Sequence, residues 1–123
     1  MTTITEDYVS FETAKLLKEK GFNEEVISYY DTGGQGYFIS PRECNIGTGS
    51  VYAAPTIQMA MKWLREIHKT FISITYENDG VFTANLKVPL KGVDCMIDNK
   101  HNCWLTYEEA AEVAIRYCLQ NLI

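Results

Sequence analysis

Apolar side chains recur every three to four residues in three stretches of the chain and alternate with polar ones in others. The first helical stretch covers residues 11–20, where Phe11, Ala14 and Leu17 share a face. Ser10 stands at the N-cap position, where its oxygen takes a first-turn N–H. Glu12 suits the positive end of the helix dipole, and Lys18 and Lys20 suit the negative end. Gly21 is placed to end the helix in a left-handed conformation. The second stretch covers residues 57–68, capped by Thr56. Ile57, Ala60, Met61, Leu64, Ile67 and His68 recur at helical spacing, and Met59 and Trp63 widen the stripe. Lys62, Arg65, Glu66 and Lys69 lie off it. The third runs from Tyr107 to about Asn121 behind a capping box, Thr106 with Glu109 three residues on. Its inward face holds Tyr107, Ala110, Ala111, Ala114 and Cys118, small enough for close approach to a sheet or another helix.

Between the helices the pattern changes to strands. VISYYD (26–31) and YFIS (37–40) flank the glycine cluster TGGQG and predict a hairpin. Residues 41–55 show no sustained period and read as a loop. FISITYE (71–77) and VFTANLKV (81–88) alternate around Asn78-Asp79-Gly80, a turn sequence that predicts a second hairpin. Pro89 ends that hairpin or marks an edge. Residues 93–97 form a short candidate strand, 98–102 a polar turn, and 103–105 can close a further short pair. The expected order is α-ββ-α-ββ(β)-α over one domain, residues 1–123. That is a two-layer α+β fold: a mainly antiparallel sheet with about three helices packed on it. The other face of the sheet is expected to be polar or covered by a second copy.

Composition narrows the function classes. Net charge is −5, from 11 basic and 16 acidic side chains. Duplex nucleic acid is bound by neutralising phosphates, so this balance argues against such a partner. A small phosphorylated ligand needs only a few local donors. No apolar run reaches transmembrane length, and MTTITEDYVS lacks a basic start followed by an apolar core. Neither a membrane span nor a signal peptide is expected, and the cytoplasm is the expected location. Eight tyrosines in 123 residues favour interfaces, because tyrosine joins apolar area to a polar tip. A homo-oligomer is therefore expected.

The candidate chemistry is sparse. Gly47-Thr48-Gly49-Ser50 precedes the second helix by about seven residues and permits close backbone approach to an anion. It matches neither a Walker loop nor a dinucleotide fingerprint, so it reads either as a phosphate cradle or as a plain surface loop. As a ligand site it would be completed by the fork of Arg42 and the ring of Tyr52. Cys95, His101 and Cys103 form C-x5-H-x-C. Structural zinc sites use tighter spacing, and no metal or other cofactor is expected. His68 suits the end of its helix as a donor or cation. Four cysteines and two histidines allow eight Cys–His pairings, and no local signature selects one. Glu108, Glu109 and Glu112 serve a helix start. Trp63 and Met59 read as core, Cys118 as a buried thiol, and Trp104 as an exposed aromatic. No catalytic residue is assigned; a small enzyme is the third-ranked class.

FETAKLLKEKGFNE, the YYD strand, APTIQMAMKWLREIHK and the closing TYEEAAEVAIRYCLQNLI together resemble small uncharacterised proteins of phages and prophages of Bacteroidetes. The resemblance covers most of the chain, excluding residues 41–53, and its most specific part is the APT-x-QMAMKWLRE run. It transfers no catalytic residues. It implies a phage accessory protein, a class that includes binders which blunt host defence and sponges for nucleotide signals. The expected function is therefore non-catalytic sequestration of a small anionic host metabolite, a nucleotide immune signal foremost. The alternative is a protein–protein inhibitor or adaptor acting on a host protein.

Overall fold

The computed structural model describes residues 4–31, 37–39, 51–77, 80–97 and 104–123. These form helices α1 (Phe11–Glu19), α2 (Ile57–His68) and α3 (Tyr107–Asn121), and strands β1 (Ser28–Asp31), β2 (Tyr37–Ile39), β3 (Val51–Ala53), β4 (Phe71–Tyr76), β5 (Phe82–Val88) and β6 (Val93–Met96). A 3-10 turn, Pro89–Lys91, lies between β5 and β6. The α+β class, the three helices and the antiparallel pairing agree with the sequence. The strands divide into two three-stranded sheets, β2-β1-β3 and β4-β5-β6. The chain clusters into two compact units, Met1–Met59 and Ala60–Ile123.

In the first unit, α1 begins where Ser10 Oγ accepts from the Thr13 N–H at 3.3 Å. It ends with Lys20 as C-cap and Gly21 at φ +96°. The Phe22 N–H then reaches the Leu17 carbonyl at 2.9 Å, and the Gly21 N–H reaches that of Lys18 at 3.2 Å. This pair of bonds satisfies carbonyls the last turn leaves open, and buried Leu17 and Phe22 add the apolar contact that accompanies the motif. Strand β1 is central. It pairs antiparallel with β2, Tyr29 opposite Phe38, and with β3, Tyr30 opposite Tyr52. Strand β3 corrects the reading of residues 41–55 as loop throughout. Three residues are too few to show alternation, and hydrogen bonding to β1 makes them a strand. The first strand is also shorter than expected, since Val26 and Ile27 precede it.

Residues 7–9 tie the first unit together. The Val9 N–H donates to the Pro55 carbonyl at 3.0 Å, and the Ile57 N–H to the Asp7 carbonyl at 2.9 Å. The second bond occupies one of the four amides a helix start leaves without an intrahelical partner. Thr56 Oγ1 accepts another, from Met59, at 3.1 Å, as the cap position predicts.

In α2, Ile57, Ala60, Met61, Trp63 and Leu64 are buried. Ile67, expected on that stripe, is 58% exposed at the last turn. In the second unit, β5 is central and pairs with β4 without interruption from Phe71↔Lys87 to Tyr76↔Phe82. Buried Ala84, Leu86 and Val88 share one face of this sheet, and α3 packs on β4 and β5 with Ala110, Ala111, Ala114 and Cys118 buried. Short side chains on both sides let helix and sheet approach closely. The opposite face carries exposed Ser73, Thr75, Lys87 and Asp94 together with exposed Phe71 and Met96 and buried Thr83, so it is polar only in part. At the start of α3, Thr106 Oγ1 accepts from the Glu109 N–H at 3.0 Å. Glu109 returns to the Leu105 N–H at 3.1 Å, one residue before the cap. Trp104, read as exposed, is half-buried and bridges to Phe82. Asn78, Asp79 and the turn at 98–102 lie outside the described residues.

Two positions test the backbone directly. Lys69 adopts φ 51° just after α2, a conformation that costs a side-chain-bearing residue about 1 kcal/mol. Replacing Lys69→Gly should raise stability by up to about 1 kcal/mol, even though the Lys69 Nζ contact with the Glu66 carbonyl is lost. Gly21→Ala should lower it by about 1 kcal/mol, although the added carbon meets no atom within 4 Å. Urea denaturation of both variants checks the opposite signs.

Candidate functional site

Of the sequence-predicted ligand residues, Tyr52 is described; Arg42, Gly47, Thr48, Gly49 and Ser50 lie outside the described residues. Tyr52 belongs to a cluster. Tyr30 and Tyr52 pair directly across β1 and β3, so their side chains share a face. Both meet Phe11, the first residue of α1, edge to face. The ring centroids are 5.7 Å apart for Tyr30 and 5.6 Å for Tyr52, with planes at 72° and 81°. Tyr30 Oη donates to the Val9 carbonyl at 2.7 Å, which fixes that ring. Edge-to-face pairs contribute about 0.5–1.5 kcal/mol each beyond their buried area.

Lysines stand over these rings. Residues 11, 15 and 18 follow one another along a side of α1 at spacings of four and three. Lys15 Nζ lies 5.5 Å from the Phe11 centroid, and Lys18 Nζ lies 4.9 Å from that of Tyr52. All three rings are half-buried. The arrangement sets two ammonium groups beside π faces, suited to a molecule that combines a flat ring with negative charge. Sequence reading assigned Phe11 to the packed face of α1. The Phe-Lys-Lys spacing was the available signal for the cluster, but it gains meaning only once β1 and β3 place two tyrosines against Phe11.

A groove of about 220 Å³ lies elsewhere in the same unit, lined by residues that include Tyr8, Glu25, Ile27, Pro55 and Met59. Its volume falls below the roughly 300–1,000 Å³ of pockets that enclose drug-sized ligands. It suits an inserted side chain better than a nucleotide. Met59, read as core, is half-buried on its wall.

In the second unit, the His68 ring meets Trp63 edge to face at 4.7 Å. Its Nε2 is buried and has no hydrogen-bond partner among the described residues. Burial, and then the positive charge of Lys91, hold its pKa below the ordinary histidine value. Cys118 is fully buried, and desolvation, followed by the nearby Cys95 thiol, pushes its pKa up to about 12. Cys95 is exposed. Cys44, His101 and Cys103 lie outside the described residues. Among the described residues, no three His, Cys, Asp or Glu side chains gather as metal ligands, and no helix is long and apolar enough to cross a membrane.

Comparison with known proteins gives no further constraint: no family model, no curated protein and no solved structure matches the chain.

A histidine whose folded pKa is depressed adds stability above its unfolded value, near 6.5, and loses it as pH falls through the folded value. The melting temperature should therefore drop between pH 7.5 and 5.5 by more in the native sequence than in His68→Phe, which keeps a ring against Trp63. A matched pair of thermal melts measures the difference. For the thiols, alkylation of the folded protein at pH 8 should modify Cys95 and spare Cys118 until denaturant is added, as peptide mass mapping would show.

Proposed function

We propose that this chain is a non-catalytic binding protein for a small, anionic, ring-bearing molecule of the nucleotide class, held on the face formed by Phe11, Lys15, Lys18, Tyr30 and Tyr52. The observation that carries the reading is Lys18 Nζ at 4.9 Å from the Tyr52 ring, with Phe11 edge-on to that same ring. Phosphate charge would pair with the two ammonium groups, and a base would stack on an aromatic face. Arg42 and Gly47 to Ser50, the donors expected from sequence, are part of the same proposal as Tyr52. A phage accessory protein that sequesters a nucleotide immune signal is the role implied by the resemblance of the APTIQMAMKWLRE run. A location in the cytoplasm of the infected cell belongs to that proposal.

A second reading, an adaptor or inhibitor that grips a host protein, is favoured by the groove beside Ile27. That side chain is 51% exposed where an inserted apolar residue would cover it.

Thermal shift against cyclic and linear nucleotides and ADP-ribose derivatives separates the two. A ligand at about 100 times its dissociation constant adds roughly 2.7 kcal/mol, a shift of several degrees for a domain of this size. Lys18→Gln and Tyr52→Leu should each weaken binding about tenfold or more, or about 1.4 kcal/mol, and Arg42→Ala should abolish it without unfolding the chain. A flat response across the panel would remove the nucleotide reading and leave the adaptor.

A further inference from the structure

Among the described residues β4 is an unguarded sheet edge, and the hydrogen-bond pattern of its neighbour shows which of its groups are open. The Phe82 N–H donates to the Trp104 carbonyl at 2.7 Å, and the Phe82 carbonyl accepts from the Trp104 N–H at 2.8 Å. The Ala84 carbonyl accepts from the Ile97 N–H at 2.9 Å. Phe82 and Ala84 therefore turn their polar backbone groups away from β4, and Leu86 follows by the two-residue period of a strand. Their partners on β4 are Tyr76, Ile74 and Ile72. These three sit in the pairs that exchange no hydrogen bonds, so their own N–H and C=O groups point out of the sheet. Among the described residues none of those groups has a partner.

Proteins commonly protect such an edge with charge, proline, a bulge or short length. FISITY has no charged residue, proline or glycine, and its six-residue register with β5 is unbroken. The other edge of the sheet is guarded. β6 has four residues, carries Asp94 in an ion pair with Lys87 at 3.7 Å, and follows the turn at Pro89. In the other sheet, β2 and β3 have three residues each.

We propose that β4 pairs antiparallel with β4 of a second copy about a two-fold axis at Ile74, joining two three-stranded sheets into one of six strands. Centring on Ile74 sets all three outward residues against their equivalents, Ile74 opposite Ile74 and Ile72 opposite Tyr76. A slip of one residue would oppose inward-facing groups instead. Tyr76, 63% exposed, then lies across Ile72 of the second copy, and Ser73 lies across Thr75 on the polar face. The contact uses the same strand on both chains and leaves only guarded edges outside, so assembly stops at two.

Sedimentation equilibrium together with amide hydrogen exchange on the full chain tests this. The expected mass is twice 14.0 kDa. Amides of Ile72, Ile74 and Tyr76 should be protected in the dimer and lose protection on dilution, while those of Ser73 and Thr75 stay protected throughout. Ser73→Lys combined with Thr75→Lys places lysine against lysine twice and should give a monomer with unchanged circular dichroism. A monomeric native chain at all concentrations would overturn the proposal, including the case in which β4 serves a peptide of another protein. So would a dimer whose Ile72, Ile74 and Tyr76 amides exchange freely, or a folded double variant that still dimerises. Should the double variant fail to fold, the exchange pattern of the native chain decides alone.

Discussion

The antiparallel contact between residues 7–9 and 55–57 is the constraint on which the candidate site depends. Its two backbone bonds join the stretch that leads into α1 to the stretch that leads into α2. Val9 also receives the Tyr30 hydroxyl, so one residue anchors both a backbone pair and an aromatic ring. With Val9 held, Ser10 caps α1 and Phe11 arrives against Tyr30 and Tyr52. Remove this tie and the cap remains possible, but side-chain packing of α1 on β3 and the Phe11 ring contacts alone would have to place its first turn. Site geometry here follows from backbone satisfaction, which a folded chain cannot neglect without incurring a desolvation penalty of about 1–3 kcal/mol per buried group.

The same accounting explains the second unit. β5 spends its polar groups on both sides, toward β4 and toward β6 with Trp104, and its face toward α3 carries buried Ala84, Leu86 and Val88. It is the strand on which the unit is built. β4 takes support from β5 and from α3, but among the described residues the outward backbone groups of Ile72, Ile74 and Tyr76 have no partner. A sheet with one complete strand, one guarded edge and one bare edge is stable in its core and unfinished at one margin.

The legible parts of this fold were those where a single side chain solves a local problem. Ser10, Thr56 and Thr106 each accept from a first-turn amide, and helix starts at Phe11, Ile57 and Tyr107 follow from them. Gly21 ends α1 because its φ of +96° is costly for any residue with a Cβ. The second hairpin was legible because alternation runs for six paired residues. β3 was not, since three residues carry no period and owe their strand form to β1. The division into two sheets was hidden for a related reason: pairing partners are chosen in three dimensions, and Phe82 with Trp104 or Tyr30 with Tyr52 leave no mark in local sequence. Of the candidate site, Tyr52 was legible as an aromatic near a glycine-rich stretch. Phe11, Lys15, Lys18 and Tyr30 were not, because a lysine on an exposed helix side looks like ordinary solvation until a ring is placed beneath it.

Whether those lysines serve packing or binding turns on magnitude. A lysine over an exposed ring contributes about 0.5–1 kcal/mol, and its methylene stem also covers apolar surface. Two such contacts give the first unit a modest gain, small against the ordering of two long side chains at up to about 2 kcal/mol each. Spacings of four and three along one side of α1 bring both lysines to the same aromatic cluster, in a chain of net charge −5. On the proposed function an anionic partner would change the balance, because charge-assisted bonds are roughly twice as strong as neutral ones and the ring contacts offset part of the ordering cost before it binds. On that proposal the cation–ring contacts would hold two positive charges beside the rings before a ligand arrives.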